Sequence, residues 1–156
     1  MQRIPYIPCL VGVILCLAIA SLSGWISASS VGNWYQQLHQ PSFTPPDWLF
    51  GPVWTVLYIM IGIAGGLLWQ QRRAFPNALT IYVVQLLLNF SWSFIFFGAQ
   101  QIGWAAVDIV LLWLSIAITL WLAWRPRRAA FWWLVPYFLW VSFATILNIT
   151  LWWLNS

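Results

Sequence analysis

Apolar residues run through this chain in five long blocks, separated by short polar or proline-rich stretches. The blocks cover roughly 7–29, 49–70, 77–98, 102–124 and 129–153. A helix needs about 20 predominantly apolar residues to cross the hydrocarbon core of a bilayer. The pattern therefore predicts an all-α membrane protein, a five-transmembrane-helix bundle forming a single domain over 1–156. The connections are short except the first, about 30–48, a proline-rich outer loop predicted to carry a short helix. No internal repeat, low-complexity tract or separate soluble domain interrupts the blocks.

The arginines order these helices. Arg3 precedes the first block, Arg72 and Arg73 separate the second from the third, and Arg125, Arg127 and Arg128 separate the fourth from the fifth. The first loop, the Gln100-Gln101 turn and the C-terminus carry none. All the positive charge falls on one side of a five-helix topology, and dropping any span would scramble it. The positive-inside rule then puts the N-terminus in the cytoplasm and the C-terminus outside. The first block loosely imitates a secretory signal at Ala18-Ile19-Ala20, but its apolar run continues through Trp25, past the roughly 7–15 residues of a signal core. It reads as a retained helix.

Composition agrees with this class. The 156 residues are 63% hydrophobic and 5% charged, with a mean hydropathy of +0.84, against about one quarter charged in a soluble domain. The pI near 9.6 comes from arginines at helix ends rather than from a clustered patch, so it does not point to nucleic acid. Cys9 and Cys16 lie seven residues apart in one helix, about 10 Å and too far for a disulfide. They read as small apolar residues.

The stretch from Trp34 to Tyr58 is expected to form the lid and one wall of a binding site. Asn33 is placed to cap a short helix whose Trp34, Tyr35 and Leu38 share a face. Pro41 ends that helix, Pro45 and Pro46 enforce an extended turn, and Asp47 is placed to cap the next helix.

Tryptophan is abundant, with 15 residues, and most have an ordinary place. Trp25, Trp69, Trp104, Trp121, Trp124, Trp132, Trp133, Trp152 and Trp153 sit near span ends and fit an interfacial belt. Trp54, Trp92, Trp113 and Trp140 fall inside spans, where the indole N–H needs a partner or a ligand. Polar residues sharpen the choice. Gln85, Asn89 and Trp92 recur on one face of the third span, Trp54 and Tyr58 stand one turn apart in the second, and Tyr137, Trp140, Ala144 and Asn148 form a stripe in the fifth. Asp108 lies about six residues from the outer end of the fourth, roughly 9 Å deep. Trp54, Asn89, Trp92, Asp108 and Asn148 are expected together in the outer half of the bilayer beneath the loop. Two readings stand side by side. The amides either face a ligand or hydrogen-bond between helices, and Asp108 is either functional or a buried structural group.

No Ser/His/Asp or Cys/His arrangement, paired carboxylates, phosphate loop or metal spacing is present. His39, the lone histidine, falls in the loop and reads as a wet interfacial residue, and Gly62-x-x-x-Gly66 permits close helix approach. The residues describe an aromatic, weakly polar pocket, open outward or sideways into lipid, suited to a flat and largely apolar ligand.

These residues resemble the tryptophan-rich sensory protein (TspO/MBR) family, which includes the mitochondrial translocator protein, or peripheral benzodiazepine receptor. Four blocks carry the resemblance: Trp34-Tyr35-x-x-Leu38-x-x-Pro41-Ser42-Phe43-x-Pro45-Pro46; Phe50-x-Pro52-Val53-Trp54-x-x-Leu57-Tyr58; Gln85-x-x-x-Asn89-x-x-Trp92-x-x-x-Phe96-Phe97-Gly98; and Pro136-Tyr137-x-x-Trp140-x-x-Phe143-Ala144-Thr145-x-Leu147-Asn148. The resemblance implies a five-helix bundle, often a homodimer, whose first loop covers a pocket for protoporphyrin IX or haem, with no cofactor or metal required. By position, Trp54 and Trp140 match the tryptophans tied to porphyrin binding and to proposed light-dependent porphyrin breakdown, and are expected to stack the macrocycle. Tyr35, Tyr58, Asn89 and Ala144 match other pocket-lining positions. The Tyr and Arg that follow the last Leu-Asn in sterol-binding members are missing after Leu147-Asn148, which argues against sterol binding. No loop Lys or Arg is available for porphyrin propionates. The leading expectation is a tetrapyrrole-binding sensor or regulator embedded among the lipids of a bacterial inner membrane. A light-dependent porphyrin-degrading enzyme using Trp54 and Trp140 is the alternative, and a porphyrin or lipid carrier the second.

Overall fold

A computed structural model describes residues 6–125 and 127–156, so Arg3 lies outside the described residues. Each apolar block becomes a helix: α1 (Tyr6–Val31), α2 (Asp47–Gln70), α3 (Pro76–Ser93), α4 (Ile102–Ala123) and α5 (Arg128–Leu154). Among the described residues five helices are long and apolar enough to cross a membrane. A π-helical turn over Phe94–Gly98 extends α3. Its wide hydrogen bonds, Ala99 N–H to the Phe94 carbonyl (2.8 Å) and Gln101 N–H to the Ile95 carbonyl (3.0 Å), leave the Phe97 carbonyl to accept from the Ser30 hydroxyl of α1 at 2.6 Å. Gln100, with φ 56°, then reverses the chain into α4.

The helices pack as a ring. α2 lies between α1 and α5, α4 between α5 and α3, and the π turn brings α3 back to α1. The ring is tightest near the arginine end. A Cβ on Gly62 would overlap the backbone of Gly12 and Val13, and one on Gly66 would overlap Pro8 and Cys9. The Gly62-x-x-x-Gly66 spacing thus serves packing of α1 on α2 within one chain, where backbone contact replaces the missing hydrophobic drive between helices in lipid. Gly65 leaves room for the Tyr82 ring, whose hydroxyl donates to the Ile61 carbonyl at 2.8 Å. Cys9 and Cys16 are buried free thiols. The span-end tryptophans named above all point outward.

Two capping expectations fail. Pro46, extended at φ −61° and ψ 142°, holds the N-cap position of α2, so Asp47 is the first helical residue and its side chain makes no cap. Its carboxylate instead accepts from Gln36 Nε2 at 3.3 Å and lies at the favourable positive end of the helix dipole. Asn33 does not cap the short helix either. Its N–H follows on from α1, reaching the Ser30 carbonyl at 3.4 Å, and a single 3-10 turn starts later, at Tyr35–Gln37, with Trp34 before it. Trp34, Tyr35 and Leu38 do pack into one cluster, against Phe96, Leu147 and Leu151. The rest of the loop is tied to the end of α5. The Asn155 side chain accepts from the His39 N–H (2.9 Å) and donates to the His39 carbonyl (3.0 Å), while Phe43 meets Phe143 edge-on at 6.3 Å.

Two outcomes follow. Gly66→Leu forces side-chain atoms into the α1 backbone and should lower the melting temperature in detergent by roughly 5–10 °C. Gly24→Ala, which meets open space, should leave it unchanged or slightly higher. Equal melting of the two variants would refute the packing argument. The second concerns Tyr35, whose burial, with a smaller contribution from the Asp47 charge, pushes its hydroxyl from 10.0 up to about 12. Below pH 10 the phenol is neutral whether folded or unfolded; above it only the unfolded state ionises freely. The associated stability is held below pH 10 and lost as the pH climbs towards 12. Tyr35→Phe should remove that part of the alkaline fall in melting temperature, and superimposable pH profiles would contradict the assignment.

Candidate functional site

Towards the loop end the ring opens around a cavity of about 470 Å³, within the 300–1,000 Å³ usual for small-molecule sites. α2 supplies Phe50, Trp54, Thr55 and Tyr58; α3 and its π turn supply Asn89, Trp92, Ser93, Phe96 and Phe97; α5 supplies Trp140, Ala144, Leu147, Asn148 and Leu151. Ala20, Ser23, Gly24, Ser27 and Ala28 form the wall on α1, with Tyr35 and Asp47 at the loop. Gly24, Ala28, Gly51 and Thr55 line the cavity yet are exposed on the flank of the bundle. The cavity therefore reaches the lipid-facing surface between α1 and α2, the same pair that closes tightly at its other end.

Hydrogen bonds between helices fix the walls. The Tyr58 hydroxyl donates to Asn89 Oδ1 at 2.5 Å, Asn89 Nδ2 donates to the Tyr137 hydroxyl at 2.7 Å, and Tyr137 donates to Gln85 Oε1 at 2.8 Å. This ladder joins α2, α3 and α5. A second bridge runs from Trp92 Nε1 to Asn148 Oδ1 at 2.8 Å, and Asn148 Nδ2 donates onward to the Ile102 carbonyl at the start of α4 (3.1 Å). Trp140 differs. Its indole nitrogen is buried and has no hydrogen-bond partner among the described residues, in an interior where an unpaired donor is costly.

Of the residues singled out from sequence, Tyr35, Trp54, Tyr58, Asn89, Trp92, Trp140, Ala144 and Asn148 converge on this cavity. Gln85 and Tyr137 stand behind its wall as the deeper rungs of the ladder, fully buried where α2, α3 and α5 close together. Asp108 is not brought to the cavity. α4 lies across the ring behind α3 and α5, and Asp108 accepts from the Ser91 hydroxyl at 2.6 Å, beside a separate cleft with Ile95, Trp104 and Leu111. Trp113 is also elsewhere, its N–H donated to the Ser142 hydroxyl between α4 and α5 at 2.8 Å. The expected stacking of Trp54 and Trp140 needs correction. Their rings are 6.5 Å apart and perpendicular, at 90°, so a planar ligand lying flat on one meets the other at its edge.

The α1 wall went unread in the sequence. Its signal is a run of small residues, Ala20, Ser23, Gly24, Ser27 and Ala28, at i, i+3, i+4, i+7 and i+8, which puts them on one helix face. Phe50 was also missed; its ring lies 6.0 Å from that of Trp140. The loop lids the cavity more narrowly than expected, since between 30 and 48 the lining residues are Val31, Gly32, Tyr35 and Asp47.

The geometry can now be set beside known proteins. The model of the TspO/MBR family matches residues 12–154, which takes in nearly the whole ring. The tryptophan-rich protein TspO of Chlorobaculum tepidum is 41% identical over 145 residues, covering 90% of this chain and 91% of its own. The protein of the same name from Archaeoglobus fulgidus is 37% identical over 147 residues, covering 92% and 94%. The translocator protein of Homo sapiens is 40% identical over 126 residues, covering 77% and 73%. With five helices long and apolar enough to cross a membrane and a family model that matches most of the chain, this is an integral membrane protein and belongs to the TspO/MBR family.

Proposed function

We propose that the cavity binds a tetrapyrrole, protoporphyrin IX or haem, and that the protein acts as a membrane sensor or regulator of that ligand. The observation that carries this reading is the convergence of aromatic rings from α2, α3 with its π turn, and α5 on one cavity, Trp54, Trp92, Phe96 and Trp140 among them. A flat macrocycle fits between such walls, one ring face-on and its perpendicular neighbour edge-on. Polar side chains on the wall would orient a polar group at the ligand's rim. Family membership supports the same ligand class. Among the described residues the cavity wall carries no His or Cys, and no group of His, Cys, Asp or Glu is disposed to hold a metal ion. Iron in a haem would meet phenol and carboxylate oxygens on this wall rather than His or Cys.

We read the membrane as a bacterial inner membrane and, by the positive-inside rule, the arginine end as cytoplasmic, with the loop and cavity on the outer side. The flank opening between α1 and α2 then admits an apolar ligand from the lipid phase rather than through the loop.

The test is a titration of the detergent-purified protein with protoporphyrin IX, following tryptophan fluorescence in the dark and porphyrin absorbance under light. The expected result is saturable quenching with a stable porphyrin spectrum. Trp54→Ala and Trp140→Ala should each weaken binding roughly 10-fold, or about 1.4 kcal/mol. Unchanged affinity in the double variant refutes the assignment. Loss of the porphyrin bands under light, abolished in that variant, replaces the sensor with the porphyrin-degrading enzyme.

A further inference from the structure

The two turns over which the sequence scatters its arginines are joined in space by one hydrogen bond. Arg127 is buried and donates through one guanidinium nitrogen to Gln70 Oε1 at 2.6 Å, a contact between residues 57 apart in the chain. That clasp joins the α2–α3 turn, with Arg72 and Arg73, to the α4–α5 turn, with Arg125 and Arg128. Arg73, Arg125 and Arg128 are exposed. Arg72 donates to the Trp69 carbonyl at 2.9 Å and lies over the Trp69 ring at 4.3 Å, and the Arg128 guanidinium lies 5.6 Å from the Trp124 ring centre. The α2–α3 turn borders a shallow, open depression lined by Gln70, Gln71, Arg72, Arg73, Ala74 and Phe75.

No carboxylate side chain balances this face. The chain holds only Asp47 and Asp108, and both stand towards the loop end, at the start of α2 and in the first turns of α4. Cations on adjoining turns repel one another over about a Debye length, roughly 8–10 Å, and an anion between them relieves that repulsion. A guanidinium resting on an indole keeps donors free for a second partner, and its planar fork suits phosphate oxygens. The ring partners Trp69 and Trp124 are partly exposed at span ends, the depth at which amphipathic rings meet lipid headgroups. An interface of cations seated on such tryptophans matches a lipid phosphate better than a soluble polyanion.

We propose that this face is a binding site for anionic phospholipid. The headgroup phosphate rests in the open depression at Arg72 and Arg73, Arg125 and Arg128 draw in further headgroups, and the acyl chains run down the apolar flanks of the bundle. The Gln70–Arg127 clasp acts as a positioning contact that holds the two basic turns side by side.

The experiment uses the full chain in zwitterionic detergent, titrated with short-chain phosphatidylglycerol against phosphatidylcholine, with retained lipid counted by native mass spectrometry. The wild type should retain phosphatidylglycerol preferentially, and rising salt should weaken that preference. The combined variant Arg73→Gln, Arg125→Gln and Arg128→Gln should reduce it by at least about 10-fold. Its melting temperature in phosphatidylcholine should match the wild type, since the clasp is untouched; should the variant not fold, the salt dependence of the wild type decides. Equal retention of the two lipids by the wild type, or a preference untouched by salt or by the folded variant, overturns the proposal. Displacement by inorganic phosphate at the same concentration as the lipid assigns the face to a soluble anion and overturns it equally.

Discussion

A polar atom inside an apolar bundle has no water to turn to, and this constraint governs how the helices sit. In lipid each buried donor or acceptor must find a partner on a neighbouring helix or on its own backbone. Tyr58, Asn89, Tyr137 and Gln85 bond to one another in a single run across α2, α3 and α5, with Gln85 Nε2 left without a partner among the described residues, and Trp92 bonds to Asn148 nearer the loop. Single bonds of this kind contribute modestly, about 0.6 kcal/mol on average where measured in a membrane protein. Their larger effect is on register. A ladder of short, directional bonds allows few relative positions of three helices, and the aromatic wall takes its positions from them.

The two ends of the bundle use opposite packing. At the arginine end Gly12, Gly62 and Gly66 bring α1 and α2 into backbone contact. At the loop end Gly24 and Gly51 face open space and line the cavity. Small residues therefore do different work along one pair of helices, closing it at one end and making room for a ligand at the other. The π turn completes the enclosure, because the carbonyl it leaves over is the one that Ser30 of α1 binds.

Much of this was legible in the sequence. Span length set the helix count, since a bilayer imposes it. The spacing of Gln85, Asn89 and Trp92 put them on one face, as found. Which of them reach the cavity depends on where the ring opens, and that is decided by residues far apart in the chain. Hence Gln85 falls behind the wall while Asn89 is part of it. Asp108 was misplaced because depth along a helix says nothing of which neighbours the helix faces. The α1 wall was overlooked because small residues are common in membrane helices and announce no chemistry. Asn33 and Asp47 have the side chains of caps, but the backbone at Pro46 and after Ser30 assigns the helix starts to their neighbours.

If the polar ladder positions the aromatic wall, its effect must be felt by a ligand that never touches it. Tyr137 lies outside the cavity lining, and Tyr137→Phe removes one hydroxyl that accepts from Asn89 and donates to Gln85. The decisive measurement is the protoporphyrin IX affinity of this variant, by fluorescence titration beside the wild type. The account predicts a folded protein with affinity lowered by roughly 3- to 10-fold, as a shift of about 1 kcal/mol implies. A folded variant with wild-type affinity would contradict it.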